Sequence, residues 1–322
     1  MPYVTEEIAS QPECWSRAIE LATRSQAALP APGERVAVAG CGTSYYMAIC
    51  YAALREASGQ GETDAFPASE LRPRRYDRLL VISRSGTTTE VLDALRGAPA
   101  GTRSTVLTAD GAGPAAAAAA EAVVLDFADE RSVVQTRFAT SVLALLRAHL
   151  GEDVSGLVGE AAGAVSGPLP AGVADRGQFT FLGRGWTAGI AAEAALKLRE
   201  AAQLWTESYP AMEYRHGPIS VSDPGGVVWI FGDQAAGLAA DAERTGALVV
   251  APGGDPLADL VLAQRVAVEI AGRRGLDPDN PRHLARSVVL GSGDRAVGAG
   301  DGGVGSGEGA VGAGDGAVGT RR

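Results

Sequence analysis

In the segment AAEAALKLRE, Glu193, Lys197 and Glu200 stand four and three residues apart. On an α-helix this spacing puts all three on one face. A carboxylate on such a face, inside a pocket, loses hydration, binds its proton more tightly and can serve as a general base. Taken alone, a solvated, salt-bridged stripe accounts for the same pattern. Further along, His216 directly precedes Gly217 and Pro218, a pair that fixes a turn. An imidazole held on a rigid turn can shuttle protons near neutral pH. A lone loop histidine is equally plain surface.

Three loops share one design, in which an apolar run ends, small or hydroxyl residues turn the chain, and a helical pattern begins. They are Gly40–Cys41–Gly42–Thr43–Ser44, Ser83–Arg84–Ser85–Gly86–Thr87–Thr88 and Gly183–Arg184–Gly185. A helix N-terminus offers free N–H groups and a positive dipole end. Glycines let the backbone approach an anion and hydroxyls add donors, a combination that suits phosphate. Serine and threonine at helix starts also act as ordinary N-caps. Neither the dinucleotide GxGxxG nor the Walker GxxxxGK[ST] pattern occurs.

The elements that must position these loops follow from periodicity. Apolar, β-branched runs at 35–40, 78–86, 104–109, 122–127, 178–185, 226–231 and 247–252 read as strands. Helical patterns lie between them, at 41–58, 87–98, 135–149, 187–205 and 256–272. Strand–helix alternation predicts an α/β fold with parallel sheets covered on both faces. The pattern restarts after the Pro/Gly-rich stretch 167–177, so two tandem units are expected. Ligands in such sheets sit beyond the carboxyl ends of the strands, where the three loops are.

The 322 residues carry 28 basic against 38 acidic side chains, a net charge of −10. Nucleic-acid binding needs a basic face, and Arg72, Arg74 and Arg75 make only a small loop cluster. Three unpatterned cysteines (Cys14, Cys41, Cys50) predict a reducing compartment rather than a disulfide framework. The histidines at 149, 216 and 283 are too scattered for a metal site. The N-terminus lacks the pattern of a signal peptide, and the alanine-rich run 115–122 is too short to span a bilayer. A cytoplasmic protein without membrane or nucleic-acid partners is expected. From Gly291 the composition changes and four glycine-rich heptapeptides follow, whose small side chains predict disorder.

Together the segments CGTSYY, ISRSGTTTEVLDALR, FLGRG, EAALKLREAAQLWTESYPAMEYRHGPI and DPDNPRHLARSVVL resemble the sugar isomerase (SIS) family, over about Gly40 to Leu290. The nearest likeness is to the isomerase half of glucosamine-6-phosphate synthase and to stand-alone deaminase and deglycase relatives. The resemblance implies two flavodoxin-like, three-layer SIS units, at 1–166 (with an N-terminal helix) and 167–290, followed by the tail 291–322. It implies a sugar-phosphate ligand, with Ser44, Ser83, Arg84, Ser85 and Thr88 around the 6-phosphate and Cys41, Gly42, Thr43, Gln135, Thr136 and Arg286 near the sugar. By the same likeness Glu200 is the base that moves the C2 proton, and Lys197 holds it or a sugar hydroxyl. His216 opens the pyranose ring, reaching into a neighbouring subunit's site, so a homodimer is expected. No cofactor is implied.

Two departures shape the expected reaction. The chain begins close to the first unit and has no cysteine directly after Met1, so the synthases' glutamine-hydrolysing domain, and glutamine-fed amination with it, are expected to be absent. Arg286 stands where the resemblance implies an imine-forming lysine, and a guanidinium stays protonated and forms no Schiff base. The reading that results is C2 proton abstraction with elimination on N-acetylglucosamine 6-phosphate or glucosamine 6-phosphate. The alternatives are a deaminase/isomerase or deglycase, and a non-catalytic sugar-phosphate sensor.

Overall fold

The computed structural model describes residues 2–72, 74–233 and 235–291. One compact unit spans Met1–Val289; the glycine-rich heptapeptides, and their expected disorder, lie outside the described residues.

The chain opens with helices α1 (Tyr3–Ala9) and α2 (Gln11–Arg24). Then come β1 (Val36–Gly40), α3 (Thr43–Ala57), β2 (Thr63–Pro67), β3 (Arg78–Ile82) and α4 (Thr89–Arg96). These lead to β4 (Arg103–Thr108), the short α5 (Pro114–Ala118), β5 (Glu121–Val124), α6 (Arg137–His149) and α7 (Leu157–Ser166). The remainder is β6 (Gln178–Gly183), α8 (Thr187–Ala202), β7 (Thr206–Pro210), β8 (Gly226–Phe231), α9 (Leu238–Glu243), β9 (Leu248–Val250) and α10 (Pro256–Arg273).

The strands form two sheets with neighbours in the order β2-β1-β3-β4-β5 and β7-β6-β8-β9, and every pair is parallel. Alternate residues of the strands point to opposite faces, and in the central strands both faces are buried, each in its own apolar cluster. Val36, Val38, Leu80 and Ile82 of the first sheet share one apolar core with Phe179, Phe181, Trp229 and Phe231 of the second, along with residues of α2, α3, α6, α8 and α10. On the first sheet's other face, Ala37, Leu79, Val81 and Val106 pack on α4 and α5. On the second's, Leu182, Val228 and Ile230 pack on α9 and the turn at 213–216.

The two halves repeat one local device. Gly40 and Gly183 end their central strands and pair with Pro67 and Pro210, which end the edge strands. A β-carbon on Gly40 would lie 2.7 Å from the Ser44 carbonyl carbon, and one on Gly183 only 2.0 Å from the Thr187 carbonyl oxygen. Each strand can therefore turn at once into the helix after it.

The seven apolar runs all fall on strands, but the runs at 78–86 and 178–185 leave the sheet at Ile82 and Gly183. Edge strands β2 (TDAFP) and β7 (TESYP) carry no such run. They are half-exposed and close on proline, which a sheet tolerates at its edge. The helix expected to reach Trp205 stops at Ala202, because Gln203 takes φ +52° and Trp205 is 83% exposed. The helix expected from Gln135 begins at Arg137.

Candidate active site

In both sheets the strand order reverses between the first and third strands, and a crevice opens at the carboxyl ends there. In the first sheet two loops meet at that point. Gly42 takes φ +54°, a conformation glycine adopts without strain. It starts α3 with no side chain capping its first turn. Thr88 starts α4, likewise without a side-chain cap. Two helix N-termini thus converge, neither capped by its own N-cap side chain, and helix starts of this kind suit an anion.

Cys41, Ser44, Ser83, Arg84, Ser85, Thr88, Gln135 and Arg286 line one small pocket at this point. Eight of the residues expected from the sequence are thereby brought together. The pocket encloses about 20 Å³, room for about one water molecule. The Oε1 atom of Gln135 and the Nε atom of Arg84, both buried, have no hydrogen-bond partner among the described residues. Burial pushes the Cys41 thiol up to about 11, and Glu90 adds to the effect, so this cysteine is no nucleophile at neutral pH. Beyond Ser85 and Arg286 a wider cavity of about 430 Å³ opens, lined also by Asp110, Asp129 and Ser287.

Arg84 differs from its expected place. Its guanidinium is turned into the protein, where Nη1 donates to the Ser132 carbonyl (2.9 Å) and pairs with Glu130 (3.5 Å). Nη2 donates to the Arg286 carbonyl at 3.2 Å, which leaves Nε and the second Nη2 N–H without a partner among these contacts. Glu130 was not singled out from the sequence. It is fully buried and accepts from the Thr136 and Arg137 amides and the Thr136 hydroxyl, so it caps α6 and sets Gln135 beside the pocket. Burial raises its pKa against the opposing pull of Arg84. A single glutamate between strand and helix gives no sequence signal of this role. Arg286 donates to the Glu130 carbonyl and to Asp129, the latter at 2.5 Å.

The helix stripe is buried rather than solvated. Lys197, 1% exposed, donates to the Thr43 hydroxyl at 2.9 Å and to Glu200 at 2.5 Å, with Glu193 at 3.4 Å. Thr43 adjoins Ser44 of the pocket. Lys197 is the sole lysine of the chain. Burial works against its charge, but Glu193 and Glu200 outweigh that and hold its pKa above the ordinary value. Loss of solvent pushes Glu193 up to about 8, although Lys197 pulls the other way. Glu200 keeps 19% of its side chain exposed, so it is the carboxylate of the three-residue cluster with an outlet.

His216 is exposed, on a turn spanning Glu213–His216 after β7. Among the described residues no hydrogen bond or ion pair joins it to the pocket or to Glu200. No cluster of side chains among the described residues could hold a metal ion, and no helix there is long and apolar enough to cross a membrane.

The chain can be set beside known proteins. No family model matches the chain. The glutamine–fructose-6-phosphate aminotransferase of Gloeobacter violaceus is 32% identical over 325 residues, and that of Methanothermobacter thermautotrophicus 29% over 306. Each alignment covers 80% of this chain and 52% of the relative. A crystal structure named glucosamine-6-phosphate deaminase, from Thermotoga maritima, superposes with a TM-score of 0.76 at 25% identity, over 89% of this chain and all of that one. The chain belongs to the sugar isomerase (SIS) family. This SIS chain spans about half the length of the curated relatives it matches.

Proposed function

We propose that this SIS chain is a cytoplasmic enzyme acting on an amino-sugar 6-phosphate, N-acetylglucosamine 6-phosphate or glucosamine 6-phosphate, by C2 proton abstraction with elimination. Each sheet with its helices is read as one SIS unit, 1–166 and 167–290. The phosphate takes the amides and hydroxyls at the starts of α3 and α4. The observation that carries the reading is the bridge from Thr43 through Lys197 to Glu200, which sets a partly open carboxylate beside that anion cradle.

His216, supplied by the second subunit of a homodimer, opens the ring. Glu200 then takes the C2 proton, and the electron pair forms an enolate with C1. As the C1 carbonyl re-forms, a C2–C3 double bond appears and the C3 hydroxyl leaves as water with a returned proton. This route needs no imine. Arginine occupies position 286, and the only lysine is buried, charged and bonded to Thr43 and Glu200, so no lysine is free to form one.

The likeness to a protein named glucosamine-6-phosphate deaminase favours a second reading, deamination with isomerisation. Incubating the pure protein with each sugar phosphate and following mass and NMR separates the two. Loss of water from the sugar supports elimination. Ammonia release, or an unchanged mass with a new ketose, overturns it in favour of the second reading, and no turnover with retained binding leaves a sensor.

A further inference from the structure

One of the three turns that share a design in the sequence, Gly183–Arg184–Gly185, plays no part in the site above. It ends β6 at the second sheet's own switch point, where the strand order reverses and where parallel sheets take their ligands. A crevice of about 660 Å³ opens there, lined by Arg184 and Gly185, by Gly232 and Asp233 after β8, and by the turn at 253–256 after β9. Its size lies within the range of small-molecule sites. Arg147 and Trp186 form one wall, with the guanidinium 5.1 Å from the ring centre in a cation–π contact.

The crevice has a basic and an acidic pole. At the first, Arg184 is exposed and its guanidinium has no acceptor among the described residues. The Gly185 and Trp186 amides have none there either, and α8 starts with no side-chain cap. A free guanidinium, two free amides and the positive end of a long helix suit an oxyanion. At the second pole, Asp233 is exposed and unpaired among the described residues, and Arg147 forks onto both oxygens of Asp255 at 2.8 Å. Under the adjoining turn lies Asp259, 5% exposed. A β-carbon on Gly254 would come 3.2 Å from its Oδ1, and its Oδ2 is buried without a partner among the described residues. Loss of solvent, then Asp255 and Glu160, push its pKa up to about 7. A buried carboxyl oxygen with no donor is costly, and a ligand bearing an ammonium or hydroxyl group offers it one.

Resting on the sugar-phosphate reading above, we propose that this crevice is a second binding site, for a zwitterionic phosphate ester of the amino-sugar phosphate class. The phosphoryl group takes Arg184 and the start of α8, and the ammonium lies among Asp233, Asp255 and Asp259. Glycines at 185, 232, 253 and 254 keep the turns between the poles free of side chains that would fill the space. Helix α8 runs from this crevice to Glu200, about 20 Å along its axis, so one rigid element borders both sites.

The test is calorimetric titration of the full chain with glucosamine 6-phosphate, in Glu200→Gln protein so that the probe is not consumed. Two molecules are expected to bind per chain. Adding Arg184→Met should weaken one of the two events about 10–100-fold, the effect of losing hydrogen bonds between charged groups, and Asp233→Asn should weaken the same event. Adding Ser85→Ala should weaken the other. Glucose 6-phosphate, with a hydroxyl in place of the ammonium, should fill the second crevice about tenfold more weakly. Arg184 and Asp233 are exposed, so neither substitution should change the melting temperature. A single event that Ser85→Ala weakens and Arg184→Met does not overturns the inference and leaves the functional reading standing, as do two events that both ignore Arg184→Met and Asp233→Asn. A single event with the opposite pattern overturns the functional reading of the first sheet and keeps the crevice as the ligand site. No binding at all overturns both.

Discussion

The ammonium of Lys197 lies 2.9 Å from the hydroxyl of Thr43, and through this one contact the helix after β6 is tied to the helix after β1. It ties a carboxylate carried by the second sheet's first helix to the helix that borders the first sheet's pocket. The fold delivers two half-sites, and the only lysine in the chain joins them.

Lys197 should be structural as well as functional. Lys197→Met leaves Glu193 and Glu200 facing each other without a cation, and breaking such a buried pair costs about 3–5 kcal/mol. Urea unfolding measures the loss, and adding Glu193→Gln should recover part of it. A Lys197→Met protein as stable as the wild type would mean that the cluster is solvated after all.

Glu193 gives stability a definite pH dependence. An ordinary glutamate loses its proton near 4.5, whereas Glu193 in the fold holds it to about 8. Between these values the unfolded chain releases a proton that the folded one keeps, so this group makes the fold less stable as pH rises through the window. Glu193→Gln removes the effect. Its urea midpoint should improve relative to the wild type from about pH 5 to about pH 8, and a constant difference would mean that Glu193 ionises normally.

The absence of any free lysine predicts a negative chemical result. Borohydride added to protein with glucosamine 6-phosphate or fructose 6-phosphate should leave the protein's intact mass unchanged. An adduct localised to Lys197 would show that the amine leaves Thr43 and Glu200 to form an imine.

Glu200→Gln should lower turnover about 10²–10⁴-fold, the usual contribution of a general base, while sugar-phosphate affinity is kept. His216 is exposed and unbonded, so His216→Ala should shift stability by about 0.5 kcal/mol or less and still abolish ring opening. If two subunits build each site, mixing the two inactive variants should restore part of the activity as heterodimers form. No restoration under subunit exchange would argue for sites completed within one chain.

Gly183→Ala should be among the most damaging single methyl additions, since the new carbon would meet the Thr187 carbonyl oxygen at 2.0 Å. Overpacking of this kind costs about 1–3 kcal/mol, and more where only backbone can yield. Circular dichroism melting of Gly183→Ala against Gly272→Ala, where no atom lies within 4 Å of the added carbon, isolates the effect.

Much of this was legible in the residues. Apolar, β-branched runs marked seven of the nine strands among the described residues. Local chemistry also marked the two loops that converge on the pocket, because helix-start amides, hydroxyls and glycine act within a few residues of chain. The edge strands β2 and β7 escaped notice because their half-exposed sequences carry no apolar run. Glu130 escaped because its role is to be buried between partners far apart in sequence.

The order of residues by itself determined the α/β alternation, the hydroxyl-rich turns, the helix face shared by Glu193, Lys197 and Glu200, and an arginine at 286. Whether that face met water or protein, and which way Arg84 pointed, depended on contacts such as Lys197 with Thr43 and Arg84 with Arg286. These partners are 154 and 202 residues apart. Only the packed tertiary structure brings such groups within bonding distance, and desolvation, which sets the state of Glu193, is a property of that packing.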